Sequence, residues 1–194
     1  MTKEELETVI DETFSILRTN SSRSRIIFPT YRDKRRRVSE QEFRFVFVEQ
    51  LQTLLVKYDL FYSVETPTND KYKFTQNRQN VVPIVDKNGQ SANFDLTIVD
   101  KDRNTIAIIE FKAKNPNPHE YAKDLCKLWN PEEKSTYKYF LNLFEKIEKG
   151  TEESFNEKIT PKINHWIPEK TSSEKIIVKA QSLRDNDPKI RREI

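Results

Sequence analysis

The sequence predicts an α/β fold, a sheet with helices packed on it. Three observations carry this. Apolar residues recur at helical spacing near the N-terminus and again from about residue 39. Two β-branched apolar runs, Ala92–Val99 and Thr105–Ala113, flank the polar turn Asp100-Lys101-Asp102-Arg103-Asn104. Further helical patterns and a last strand follow, so the order is helix, strands, helices, strand.

Residues 4–18 read as a helix, with Leu6, Ile10, Phe14 and Leu17 on one face. Ser39 and Glu42 fit a capping box for a second helix, whose Phe43, Phe47, Leu51, Leu54 and Tyr58 share a face. Leu60–Thr66 is a predicted strand stopped by Pro67. Val81–Val85 is a strand that Pro83 would confine to an edge, and Asp86-Lys87-Asn88-Gly89 is a turn. After the hairpin, helices are predicted over about 119–129, 132–149 and 152–160. A strand over Lys175–Lys179 follows, with a fraying polar tail from Arg184. Three segments result: 1–38, a helix with a basic stretch; 39–183, the α/β core; and 184–194, the tail.

The chain has 194 residues, of which 34% are charged and 35% apolar. That suits one domain with a real core. The charge, and the lack of a run of about 18 apolar residues, argue against a membrane protein. The two glycines, Gly89 and Gly150, cannot write a dinucleotide fingerprint or a Walker loop. One cysteine and two histidines make a Cys/His metal centre improbable, so a metal would be held by oxygen, as Mg²⁺ is. The single Cys126 and a start without a signal-peptide pattern suggest a cytoplasmic protein. Net charge is only +3, but Arg23, Arg25, Arg32, Lys34, Arg35, Arg36 and Arg37 crowd together with only Asp33 against them. This stretch reads either as a solvated loop or as an arm that contacts phosphates.

The chemistry concentrates in the hairpin. Alternation puts Glu110 and Lys112 on one face of their strand. With Lys101–Asn104 as the turn, Asp100 faces Thr105 and Asp95 faces Glu110, with β-carbons about 4.5–5.5 Å apart. Like charges so placed repel unless a cation lies between them. Two carboxylates can share one Mg²⁺ and leave room for water and a phosphate. A neighbouring ammonium can stabilise charge building on phosphorus.

Asp95, then Glu110-Phe111-Lys112 after the apolar run Ile106–Ile109, with a capped helix upstream, resembles the PD-(D/E)XK nuclease superfamily over about residues 39–130. Phe94 stands where that motif has its proline. The resemblance implies a restriction-endonuclease-like fold, with a central mixed sheet flanked by helices. It implies a metal-dependent nuclease acting on phosphodiesters, DNA first among them. Asp95 and Glu110 would hold Mg²⁺ (Mn²⁺ as the alternative), and Lys112 would be the catalytic lysine. A glutamate from the upstream helix would complete the metal site. Glu42 is favoured over Glu49, although Glu42 also serves the capping box. Such a small nuclease could act as a homodimer. The alternative is a nuclease-like module that binds nucleic acid or a protein without cleaving.

Other residues have ordinary readings. Glu65 could reach the site from a neighbouring strand or stay exposed. Lys114 suits a phosphate contact or plain surface. Asp124 lies between Lys123 and Lys127, where ion pairing explains it. His119 and His165 lack partners at catalytic spacing. Trp129 and Trp166 read as core or interface, Cys126 as core, and Tyr137, Tyr139 and Phe140 as helix packing.

Overall fold

The computed structural model describes residues 1–19, 26–161, 163–167, 174–184 and 186–194. The elements are α1 (Lys3–Thr19), α2 (Glu40–Tyr58), β1 (Phe61–Gln76), β2 (Gln79–Val85), β3 (Gln90–Val99) and β4 (Thr105–Ala113). They continue with α3 (Pro118–Trp129), β5 (Tyr137–Phe144), α4 (Thr151–Ile159), β6 (Ile177–Ser182) and β7 (Ile190–Glu193). The strands form one mixed sheet in the order β2-β1-β3-β4-β5-β6-β7. Strands β4, β5 and β6 run parallel to their neighbours within that set, and the other pairings are antiparallel. No helix among the described residues is long and apolar enough to cross a membrane.

Helices cover both faces. One core joins α1 and α2 to Leu96, Ile98, Ala107, Ile109, Phe111, Tyr139 and Leu141. The other joins α3 and α4 to Ile108, Phe140, Phe144, Val178 and Ala180. This split follows from strand alternation: in β4 Ala107, Ile109 and Phe111 face α2, while Ile108 faces α3. Phe111 sits on α2 through edge contacts with Phe43 and Phe47, at centroid distances of 5.0 and 5.5 Å. Such contacts are worth about 0.5–1.5 kcal/mol each beyond area burial.

The expected α1, α3, α4, edge β2 and central hairpin are all present. Four expectations are corrected. The first concerns β1, which does not stop at Pro67. It continues through an irregularity between Pro67 and Lys71, where the Thr68 hydroxyl donates to the Asp70 carbonyl and takes the Ala92 N–H. A bulge is where a strand tolerates proline.

The second is the segment predicted as a helix over 132–149. It contains β5, a buried strand between two parallel neighbours. A strand covered on both faces has no period to read. Its Lys138 and Asn142 find partners inside the protein. The Lys138 ammonium donates to the carbonyls of Leu128 and Asn130 and meets Glu174, while Asn142 accepts from the Tyr121 hydroxyl. Tyr137, Tyr139 and Phe140 are therefore strand residues.

The third is the tail from Arg184, which does not fray but returns as β7 and pairs antiparallel with β6. Ile190 enters the core, and the polar residues find distant partners: Arg191 with Glu7, Arg192 with Glu152, and Glu193 with Lys3. Ile190–Glu193 thus form part of the sheet.

The fourth is the capping box. Ser39 is the N-cap of α2, but its side chain makes no capping hydrogen bond.

Candidate active site

The register of β3 against β4 is as expected from Leu96↔Ile109 to Ile98↔Ala107. It shifts toward the turn, where Val99 rather than Asp100 pairs with Thr105. The Asp100 carboxylate instead accepts the backbone N–H groups of Asp102 and Asn104 and shapes the loop. At the other end the ladder closes at Leu96↔Ile109. Beyond it the Asp95 side chain reaches across, and its Oδ2 accepts the Phe111 N–H at 2.7 Å. Asp95 therefore lies beside the Glu110-Phe111-Lys112 segment, and its charge is one of those acting on Glu110.

Glu110 and Lys112 point toward α3. Asn117 caps that helix by accepting the Glu120 N–H, with Pro118 in its first turn. The cap and the apolar side chains Tyr121, Leu125 and Leu128 fix the helix on the sheet. This docking brings Asp124 and Lys127 onto the E-x-K strand. Lys112 Nζ lies 2.6 Å from Asp124 Oδ2. Lys127 Nζ lies 2.5 Å from Glu110 Oε1 and 3.0 Å from Asp124 Oδ1. It also donates to the Asn93 carbonyl at 2.8 Å. The side chains of Glu110 and Asp124 are only 1% and 9% exposed, so these contacts are scarcely screened. Glu110 Oε1 and Asp124 Oδ2 nevertheless lack a well-aligned hydrogen-bond donor; the ammoniums meet them as charges.

From the opposite side α2 supplies Glu40, whose Oε1 accepts the Ala113 N–H at 3.3 Å. Glu40 feels Lys112, Asp95 and Asp124. The group thus contains four carboxylates (Glu40, Asp95, Glu110, Asp124) against two ammoniums (Lys112, Lys127), and fully ionised it is short of positive charge. Burial and this charge balance set the direction in which each group shifts. Burial, with Asp124 and Asp95 adding to it, pushes Glu110 well above the usual carboxylate range against the pull of Lys127 and Lys112. Glu40 is raised by desolvation and by Asp95 and Asp124, opposed by Lys112. Burial also acts on Asp124, but the charges of Lys112 and Lys127 outweigh it and hold Asp124 low. For Lys112, burial is outweighed by Asp124, Glu110 and Glu40, and the ammonium is kept protonated.

Three of the expected site residues therefore come together: Asp95, Glu110 and Lys112. Glu42 does not join them. It is half-buried, and one helical residue turns about 100°, so it lies about 200° around α2 from Glu40. Its Oε2 is buried with no hydrogen-bond partner among the described residues. Glu49 is exposed on the same helix. The helix acid beside β4 is Glu40. It precedes Phe43 by three residues and Phe47 by seven, and these two rings pack on Phe111, so the helical period carried the signal. Asp124 and Lys127 were not expected in the site either. Their signal was a carboxylate set into the apolar stripe Tyr121–Leu125–Leu128.

Glu65 stays exposed, as one of its two readings had it. Arg44 ties it to the site's rim, with Nη1 2.7 Å from Glu65 Oε1 and 3.4 Å from the Asp95 carbonyl. His119 is buried, its Nε2 against the Val81 carbonyl at 2.9 Å. Burial pushes the Cys126 thiol up to about 12, which leaves it unreactive.

Beyond the site lies the basic stretch. Arg23 and Arg25 fall outside the described residues; the rest forms a tight loop. Thr30 bridges Arg36, and the Tyr31 N–H donates to the Arg35 carbonyl at 2.8 Å. Arg32, Lys34, Arg35 and Arg37 are exposed. The Lys114 ammonium donates to the Tyr31 hydroxyl at 3.2 Å, so this loop abuts the end of the E-x-K strand.

Among the described residues no three Asp, Glu, His or Cys side chains converge tightly enough to hold a metal alone. Mg²⁺ commonly takes one or two carboxylates and completes its shell with water and substrate phosphate. Asp95 and Glu110 supply that number, and the shortage of positive charge favours a cation. The residues fit the ion on those terms. In comparisons with known proteins the chain matches no family model, no curated protein and no solved structure.

Proposed function

We propose that the protein is a metal-dependent nuclease that hydrolyses phosphodiester bonds, with DNA as its substrate. The observation that carries this reading is the acid-rich cluster on the Glu110-Phe111-Lys112 strand, where the charge of Asp95 acts on Glu110, Glu40 meets the strand end at the Ala113 N–H, and a protonated Lys112 lies in the field of both glutamates. The mixed sheet with helices on both faces agrees with the restriction-endonuclease-like architecture that the sequence motif implies.

Asp95 and Glu110 would hold Mg²⁺ or Mn²⁺. When bound, such a cation polarises a phosphoryl oxygen and makes water a better nucleophile at neutral pH. The chain's own residues do the rest. Lys112 presents a fixed positive charge to the phosphoryl oxygens as negative charge grows on them. Asp124 holds that ammonium in place at 2.6 Å and keeps it protonated. Arg44 pins the backbone of Asp95 and so fixes where its carboxylate emerges. The exposed cations of the 29–37 loop, joined to the site through Tyr31 and Lys114, offer phosphate contacts along a bound strand.

The test is cleavage of plasmid and single-stranded DNA with and without Mg²⁺, by the wild type, Asp95→Ala and Lys112→Ala. Metal-dependent cleavage lost in both variants supports the reading. Equal activity in all three proteins refutes it.

One observation favours a second reading, a nuclease-like module that binds nucleic acid without cutting it. Glu110 is already met by Lys127 at 2.5 Å. Binding with steep salt dependence and no cleavage in either metal would select it.

A further inference from the structure

We infer that Lys127 is a tethered counter-ion that stands where a divalent cation would approach Glu110, and that it must leave Glu110 before such a cation binds. The inference rests on the metal-dependent reading above and adds what regulates the site's affinity.

An ammonium carries three N–H groups. Around Lys127 Nζ stand three oxygens: Glu110 Oε1 at 2.5 Å, Asp124 Oδ1 at 3.0 Å and the Asn93 carbonyl at 2.8 Å. Two carboxylates and a carbonyl are also the oxygen types that hard cations choose. The lysine side chain is 7% exposed and its ammonium lies 5.6 Å from the centre of the Phe94 ring, so it is a built-in part of the site.

The arrangement lets the ammonium move without losing all compensation. The α3 backbone is held by the Asn117 cap and its apolar face, but the lysine stem is flexible. If Glu110 is taken by a cation, Lys127 keeps Asp124, already 3.0 Å away. Asp124 has a second oxygen for Lys112, so one carboxylate retains both amines. Only the contact with Glu110 is exchanged. The same cluster is short of positive charge, so an entering cation is favoured even though it displaces a lysine from one acid. Lys127 therefore sets a threshold: with it in place the acid pair is partly neutralised, and without it the pair binds cations more tightly.

The test is Mn²⁺ and Mg²⁺ titration by calorimetry on the full chain, wild type against Lys127→Met. If the state with Glu110 released is populated about one part in ten or less, removing the competitor tightens apparent binding about tenfold or more. Saturating Mn²⁺ should also raise the melting temperature of Lys127→Met more than that of the wild type. Should Lys127→Met fail to fold, the charge-balanced Lys127→Met/Asp124→Asn protein is compared with Asp124→Asn alone. A second readout uses the unaltered chain with ¹⁵N-labelled lysine. The Lys127 ammonium resonance should shift on saturation with Mg²⁺. Equal affinities, or a Lys127 resonance unmoved at saturation, overturn the inference and leave the metal reading intact. If neither protein binds either metal, both fall.

Discussion

Lys112 and Asp124, one on the E-x-K strand and one on the crossing helix, meet at 2.6 Å with side-chain exposures of only 12% and 9%. A buried pair of this kind does not by itself imply stability, since desolvation offsets much of the attraction. Breaking it from one side is costly, because it strands a charge. Asp124 still has Lys127 at 3.0 Å, so Lys112→Ala should destabilise by the lower end of the roughly 3–5 kcal/mol expected for a broken buried pair. Urea unfolding measures this. If Asp124 positions the lysine, Asp124→Asn should lower cleavage about 10–100-fold, the range for partners that orient site residues. A positioning role also predicts that Lys112→Ala and Asp124→Asn are non-additive in the double variant. Fully additive losses would remove Asp124 from the mechanism.

Glu40 and Glu42 separate the helix-phase argument from the motif argument. Glu40 touches the Ala113 N–H and senses Lys112, Asp95 and Asp124. Glu42 lies about 200° away around the helix. Glu40→Gln should cut metal-dependent cleavage about 10–100-fold, while Glu42→Gln leaves it near wild type. The reverse ranking would mean that α2 rotates when substrate binds.

The loop over residues 29–37 should govern salt dependence. Arg35 is already engaged by Asp33 at 2.7 Å, so Arg32, Lys34 and Arg37 are the better choices for alanine substitution. For duplex DNA in EDTA, each lost phosphate contact should reduce the slope of log K against log salt by about 0.9. The triple variant should bind more weakly on all sequences alike. An unchanged slope would return the loop to a solvated surface.

Glu5 should mark the acid limit of the packing between α1 and α2. Its carboxylate accepts from Lys57 Nζ at 2.7 Å, from the Thr2 N–H at 2.8 Å and from the Tyr58 hydroxyl. Lys57 foremost, then Thr2 and Tyr58, lower its pKa to about 2 from the ordinary 4.5. A folded-state pKa below the unfolded one stabilises the fold above the unfolded value and loses that contribution as pH falls toward the folded one. The difference in urea midpoint between wild type and Glu5→Gln should therefore be constant above about pH 5 and shrink between 4.5 and about 2. A gap that persists to pH 2 would assign the effect to something other than this titration.

The sequence by itself determined the α/β class, the helix faces and the β3–β4 hairpin, with Asp95, Glu110 and Lys112 on one local unit. These are local matters. Alternation fixes which side chains share a face, and a short turn fixes the register over a few residues. It could not reveal β5, because a strand buried on both sides carries no periodic signal. Nor could it reveal β7, whose charged residues Arg191, Arg192 and Glu193 find partners on α1 and α4 that are remote in sequence. Tertiary structure alone decided that Asp124 and Lys127 stand over Glu110 and Lys112, since that depends on how α3 docks across the sheet. The helix acid lay between the two cases: α2's period could have chosen Glu40, but only contact between Phe43, Phe47 and Phe111 identifies the face that looks at the site. Spacing along the chain sets direction within an element, while the distances that make four acids and two amines one electrostatic unit come from packing between elements.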